Sequence, residues 1–464
     1  MRLLEYLSRA FGWTISSAIL ISLIPVSGPA MMQRSPISRP FAELQHPAIK
    51  YYQTAPTDPV ARLMGRVERG EARIGYDDKN VYLASLLNEL GIDASSQLLV
   101  ASKTSLQIDQ ISPSTPRAIY FNDDVYVGWV QGSPIVELSA VDPKLGATFY
   151  TVFREPGGGV KFEHEMGLCL QCHDPSMPSH IMSSVIPDKG GLPVFTAGLF
   201  STSDRSPFPE RWGGWYVTGT HGGQVHMGNL IADVPTSPPG ISRIKVDVDR
   251  TEGANMTQLA TDMVDTTPYL GPHSDIVALM VLGHKVNVSN RITHLGYETR
   301  KALHLEKTLN EEQGRQEEPL SAITLKRIED SAELLLQAMM LSGEVKLTSP
   351  IDGTSGFSDH FASQGPWDDM GRSLRQFDLT KRLFRYPLSY LIYSDSFQDL
   401  PEVARNQVYG RLWDVLGGED RSEPFAHLSD ADRGAILEIL EKTEMGFARK
   451  VNELRRQAGG RDQP

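Results

Sequence analysis

Cysteine is almost missing from this chain. Its 464 residues hold two, and they stand together as Cys169-Leu170-Gln171-Cys172. A disulfide across two intervening residues would close so short a loop that it stabilises little. A structural zinc site wants four ligands, and no second C-x-x-C or H-x-x-x-H-type partner follows at the expected spacing. Positive charge is short as well: 45 Lys and Arg against 57 Asp and Glu give a net charge of −12. That balance argues against nucleic acid and against an anionic membrane surface as partners. Long apolar runs are absent too. The N-terminal one, residues 14–26, is shorter than the ~18 residues a membrane span needs. No internal repeat is visible.

What is present is a histidine directly behind the second cysteine. Cys169-Leu170-Gln171-Cys172-His173 is C-x-x-C-H, the attachment pattern of a c-type haem. In such a site the two thiols add across the haem vinyl groups, and the adjacent imidazole becomes the proximal iron ligand. One covalent haem c is therefore expected, on Cys169 and Cys172, with His173 on the iron. A redox C-x-x-C would sit on a βαβ background and has no need of the trailing histidine.

The N-terminus agrees on compartment. Arg2 and Arg9 precede the apolar run, and Ser27-Gly28-Pro29-Ala30 follow it, which reads as a secretory signal over residues 1–30. The expected location is the bacterial periplasm or beyond. The alternative is an uncleaved N-terminal membrane tether; after cleavage no membrane span is expected. Loss of Arg2, Glu5 and Arg9 takes the net charge to about −13.

The pattern predicts an α+β fold, mainly α-helical, with a short antiparallel β-meander before the haem region and a helical C-terminal half. A Pro- and Ser-rich linker covers 31–58. Residues 59–155 carry N-terminal helices and about four strands, at 118–121, 125–130, 135–141 and 147–153, with Asn122-Asp123-Asp124 as a turn. Residues 156–310 are the haem-binding region, Gly- and Pro-rich up to 245, with a long helix from Ser274 to about 305. Residues 311–464 are helical, with segments at 320–340, 402–416 and 431–451, the last opened by a capping-box-like Ser429 and Asp432.

The residue across the iron separates an electron carrier from a catalyst, because a second side-chain ligand fills the coordination sphere and an open position admits substrate. The Gly-rich stretch 211–229 holds the best-spaced candidates. His221 or Met227 is the candidate distal ligand, His226 is equally well placed, and Trp215 and Arg211 are candidate pocket residues. Met177 is too close behind His173 to reach the opposite face easily. Arg154, Arg205 and Arg211 could pair with haem propionates, and Trp212, Trp215 and Tyr216 could pack on the macrocycle. His164, His284 and His294 are weaker pocket candidates. The Asp123-Asp124 turn could contact Ca²⁺ or substrate, although turns favour Asp for local hydrogen bonding alone. Ser102-Lys103-Thr104-Ser105 shows no catalytic partner and reads as loop.

The motif resembles that of cytochrome c-type proteins. The wider pattern of Ser102 to Gln107, Tyr120 to Val130 and Trp212 to His221 resembles a group of large exported monohaem c-type proteins of environmental bacteria. The resemblance spans most of the mature chain and implies haem binding, iron ligation and electron transfer at Cys169, Cys172 and His173. The chain departs from di-haem peroxidases, which need a second C-x-x-C-H. Its expected function is electron transfer, or haem-based peroxidase- or oxidase-like oxidation of a small substrate, with a redox partner protein or that substrate as partner. The alternative is a haem-based gas or redox sensor without turnover.

Overall fold

The computed structural model describes residues 43–459, apart from 104, 106, 174–175, 234–248, 250, 252 and 316–318. The expected signal and the first part of the linker lie outside the described residues. So do Thr104 and the end of the Gly/Pro-rich stretch, from 234 onward.

Six antiparallel strands form one sheet in which every strand pairs with its chain neighbours. They are β1 (Leu98–Val100), β2 (Arg117–Phe121), β3 (Val125–Val130), β4 (Ile135–Asp142), β5 (Gly146–Arg154) and β6 (Val160–His164). The four expected strands are its centre. β1 is only three residues long, and all five residues of β6 are half-buried, so neither carries an inside–outside alternation to read. The β2–β3 turn is built by Asn122, whose Oδ1 accepts the backbone N–H groups of Asp124 and Val125 at 3.2 and 3.0 Å. A small second sheet pairs β7 (Ser183–Val185) with β8 (Leu199–Ser201).

The described residues hold ten α-helices. Two precede the main sheet, α1 (Pro59–Glu68) and α2 (Leu83–Glu89); α3 (Leu168–Cys172) follows it. The C-terminal half is helical: α4 (Ile276–Gln313), α5 (Ala322–Met339), α6 (Phe357–Ser363), α7 (Asp395–Gln398), α8 (Glu402–Gly417), α9 (Asp430–Thr443) and α10 (Met445–Gly459). One sheet face, with Tyr120, Val127, Leu138 and Val152, packs on Val60 and Leu63 of α1 and Leu83, Leu86 and Leu87 of α2. The other face sends Phe121, Tyr126 and Val141 into the large core of α4, α5, α8 and α9. Among the described residues no helix is long and apolar enough to cross a membrane.

Several boundaries differ from the sequence pattern for identifiable reasons. α4 is capped by Asp275, whose Oδ1 accepts from Val277 and Ala278, while the Ser274 hydroxyl donates to the Tyr216 carbonyl. The expected helix over 431–451 is two, because Glu444 takes an extended conformation between α9 and α10. The Ser429–Asp432 capping box is present. Residues 43–58 are packed rather than free: Leu44, Ile49 and Tyr51 are buried, and the Tyr51 hydroxyl donates to the Ala147 carbonyl at 2.9 Å.

Candidate functional site

α3 is a five-residue helix anchored by one side chain. Leu170 is fully buried against Leu145, Ala147, Phe149 and Tyr297, and Cys169 packs on the same cluster. Cys169 and Cys172 are both free thiols. At i and i+3 they share one helix face, and Cys172 is exposed there. Burial, with Glu165 and Glu137 nearby, pushes the Cys169 thiol up to about 12.

His173 ends the helix, its backbone N–H bonded to the Cys169 carbonyl at 3.0 Å. Its Nδ1 lies 3.0 Å from the Ser179 carbonyl oxygen. A carbonyl can only accept, so Nδ1 carries the proton. Burial lowers the pKa of this imidazole and keeps it neutral, opposed by the Ser179 contact. Nε2 then holds a free lone pair, and a backbone partner on the other nitrogen is the usual arrangement for a metal-bound histidine.

The sheet supplies the floor beneath this histidine. Tyr126, Ser139 and Phe149 are register partners across β3, β4 and β5, so they form one row on one face. His180 lies along that row. Its Nε2 is 2.7 Å from the Ser139 hydroxyl, and its ring centroid is 4.3 Å from Tyr126 and 6.0 Å from Phe149. Asn290 of α4 holds the His180 backbone at both ends, accepting its N–H at 3.0 Å and donating to its carbonyl at 2.8 Å. The His173 ring packs 4.7 Å from Phe149 and 6.4 Å from His180. Glu137, in the next row, pairs diagonally with Arg117 of β2 at 3.0 Å. Arg117 Nε and Glu137 Oε1 are buried there without a hydrogen-bond partner.

The residues expected on the distal side gather elsewhere. His221 and His226 are buried with ring centroids 4.7 Å apart, and Trp212 stands 5.3 Å from His226. His221 Nε2 accepts the Asn255 N–H, and His226 Nδ1 accepts the Gly228 N–H, each at 3.0 Å. The proton of each neutral ring therefore sits on its other nitrogen, which is buried without a hydrogen-bond partner. Met227 is fully buried, with its sulfur 3.8 Å from the Ser184 hydroxyl. This loop is bound to the start of α4, where Ile276 donates to the Thr218 carbonyl at 2.9 Å. Leu170 of the motif packs instead on Tyr297, 21 residues further along that helix. At ~1.5 Å per residue these two points on α4 are roughly 30 Å apart.

The remaining candidates have local partners. Arg211 donates to the Ser206 and Asp204 carbonyls and stacks on Phe208. Trp215 Nε1 donates to Ser183, and the Tyr216 hydroxyl to Pro113. Arg154 lies over Tyr76, Arg205 beside Gly343, and His164 stacks on Tyr150. Asp123 is paired with Arg375. Ser102 sits against Gly214, where a Cβ would meet its hydroxyl at 2.7 Å.

His294 and Met177 line a cleft of about 810 Å³ with His46, Tyr297, Lys301 and His304. His284 bridges Asp204 at 3.0 Å and Ser389 at 2.8 Å. That spacing matches a nucleophile, base and acid. All three are buried, however, and the Ser389 hydroxyl caps a helical turn at Leu391. The chain therefore braces α4 against two loops.

Sequence reasoning missed His180, Asp124 and Lys285 as a group. His180 stands in an ordinary polar stretch, and Lys285 follows His284 on a helix, where burial of an ammonium leaves no mark in the pattern. Neither a family model, nor a curated protein, nor a solved structure matches this chain.

Proposed function

We propose that the protein is an exported c-type haem protein that carries one haem on Cys169 and Cys172. Its reaction is electron transfer or haem-mediated oxidation of a small substrate. The observation that carries the reading is the His173 imidazole directly behind two free thiols on one helix face, its Nδ1 proton held by Ser179. Those residues fit the group. The two thiols would form thioethers with the haem vinyl groups, and His173 Nε2 would bind iron. When bound, the haem supplies a one-electron couple and, where a coordination position is open, a site for oxygen-containing ligands.

The chain's own contribution is orientation. Phe149 and the Ser179 carbonyl fix the imidazole plane and tautomer, and Leu170 anchors the short helix that bears both thiols. Whether the position opposite His173 is open or filled separates a catalyst from a carrier. Visible spectroscopy of the exported protein tests this. A high-spin ferric spectrum that responds to cyanide supports the catalyst, and a low-spin spectrum that ignores cyanide and CO supports the carrier. CO binding without peroxide-driven turnover would support sensing instead. Absence of covalent haem overturns the whole reading.

A further inference from the structure

Lys285 is one of the largest fully buried side chains in the molecule. Its Nζ stands 3.2 Å from the centre of the Tyr126 ring and has no hydrogen-bond partner. Asp124, a half-buried residue, immediately precedes β3, two residues before Tyr126; its Oδ1 is buried without a partner, as is the Tyr126 hydroxyl. An ionised group stripped of hydrogen bonds is held at considerable cost, so it tends to neutralise. Burial pushes Asp124 upward, reinforced by Asp123 and opposed by Lys285. Burial pushes Lys285 downward, opposed by Asp124 and Asp123. The two directions converge toward neutrality, and the protons belong to the pair rather than to either residue.

The neighbouring charges are already matched. Asp123 is paired with Arg375 from the helical half. Tyr390 faces Asp123 and Arg375, and burial keeps its phenol protonated. Asp395 and Arg62, which act on Asp124 from further away, pair with each other at 3.1 Å. His180 approaches from the side of the haem motif and is kept neutral by burial, with Lys285 and His173 acting in the same sense. Among the described residues facing it, Lys285 is left with Asp124 as its counter-charge. Only two rings separate Lys285 from the proximal imidazole: Tyr126 is 4.3 Å from His180, and His180 is 6.4 Å from His173.

We infer that Asp124 and Lys285 form a buried proton-binding site coupled to the redox state of a haem held at His173. The inference rests on the haem reading above. An electron from a one-electron donor protein reaching the haem would be matched by one proton from water entering the Asp124–Lys285 pair, so the charge of the buried region would be conserved. On oxidation the electron and the proton both leave.

Spectroelectrochemistry on the full-length haem protein between pH 5 and 9 tests this. The expected midpoint potential falls as pH rises through neutrality, by up to about 59 mV per pH unit for a fully coupled one-electron, one-proton step. The slope in that window disappears in Asp124→Asn/Lys285→Met. Should the double variant fail to fold, Asp124→Asn keeps the side-chain volume and is expected to flatten the slope by itself. ¹³Cε-lysine NMR supplies an independent readout, with Lys285 titrating several units below the other lysines. A haem protein with a pH-independent potential, or a slope unchanged in the variants, overturns the proton site and leaves the haem reading standing. A protein without haem overturns both.

Discussion

The Nδ1 atom of His173 stands 3.0 Å from the carbonyl oxygen of Ser179. That contact fixes which nitrogen carries the proton and therefore which one can meet a metal. In the proposed haem site it would also separate two roles within five residues, the thiols giving attachment and the imidazole ligation. In His173→Ala, covalent haem is expected to remain on Cys169 and Cys172 while the proximal ligand is lost. The checks are the intact mass of the exported protein, which should be unchanged apart from the substitution, and its visible spectrum, which should shift.

The 211–229 loop is expected to matter for stability rather than for ligation. His226 is buried, and burial, reinforced by His221, lowers its pKa to about 3 against an unfolded value of ~6.5. The unfolded chain therefore binds the extra proton first as pH falls. The stability this neutral histidine permits is complete above about pH 6.5 and declines as pH drops toward 3. Between pH 6.5 and 4 the loss amounts to roughly 3 kcal/mol. His226→Phe should show a shallower acid decline in urea unfolding, with the haem spectrum unchanged. A changed spectrum would return His226 to the iron.

Asp58 joins α1 to the sheet. One carboxylate oxygen caps the helix through the N–H groups of Val60 and Ala61, and the other accepts the hydroxyls of Tyr150 and Thr148. Asp58→Ala removes the cap and leaves the buried Tyr150 hydroxyl without its acceptor, while Thr148 keeps the Ala140 carbonyl, at a cost of about 3 kcal/mol. Chemical denaturation should show it, and Asp58→Asn should recover part of the loss through the cap.

Arg375 ties the helical half to the β2–β3 turn. Its guanidinium meets both Asp123 oxygens and also lies over Phe361 and Tyr390. Arg375→Ala is expected to cost about 3–5 kcal/mol, because it strands a partly buried carboxylate. Arg375→Lys should be little better, since an ammonium cannot make the two-point contact. Urea midpoints of the two variants check both statements.

Local chemistry made much of this molecule readable from its sequence. The Asn122 turn, the four central strands and the Ser429 cap each rest on neighbours within a few residues, and each is present. The edge strands were hidden because three residues, or five half-buried ones, carry no alternation. The grouping of the site was hidden for a different reason. Glycines, histidines and a methionine near 221 look like haem surroundings in the chain. In space they belong to the start of α4, while the partners of His173 come from the sheet face and from His180. Only tertiary contacts bring Lys285 over Tyr126.

The most direct test is the intact mass and alkaline pyridine spectrum of the protein exported by a host that matures c-type cytochromes. The expected result is one haem's mass above the polypeptide, the α-band of haem c, and loss of both in Cys169→Ala/Cys172→Ala. A protein of polypeptide mass with two titratable thiols and no haem band would contradict the assignment.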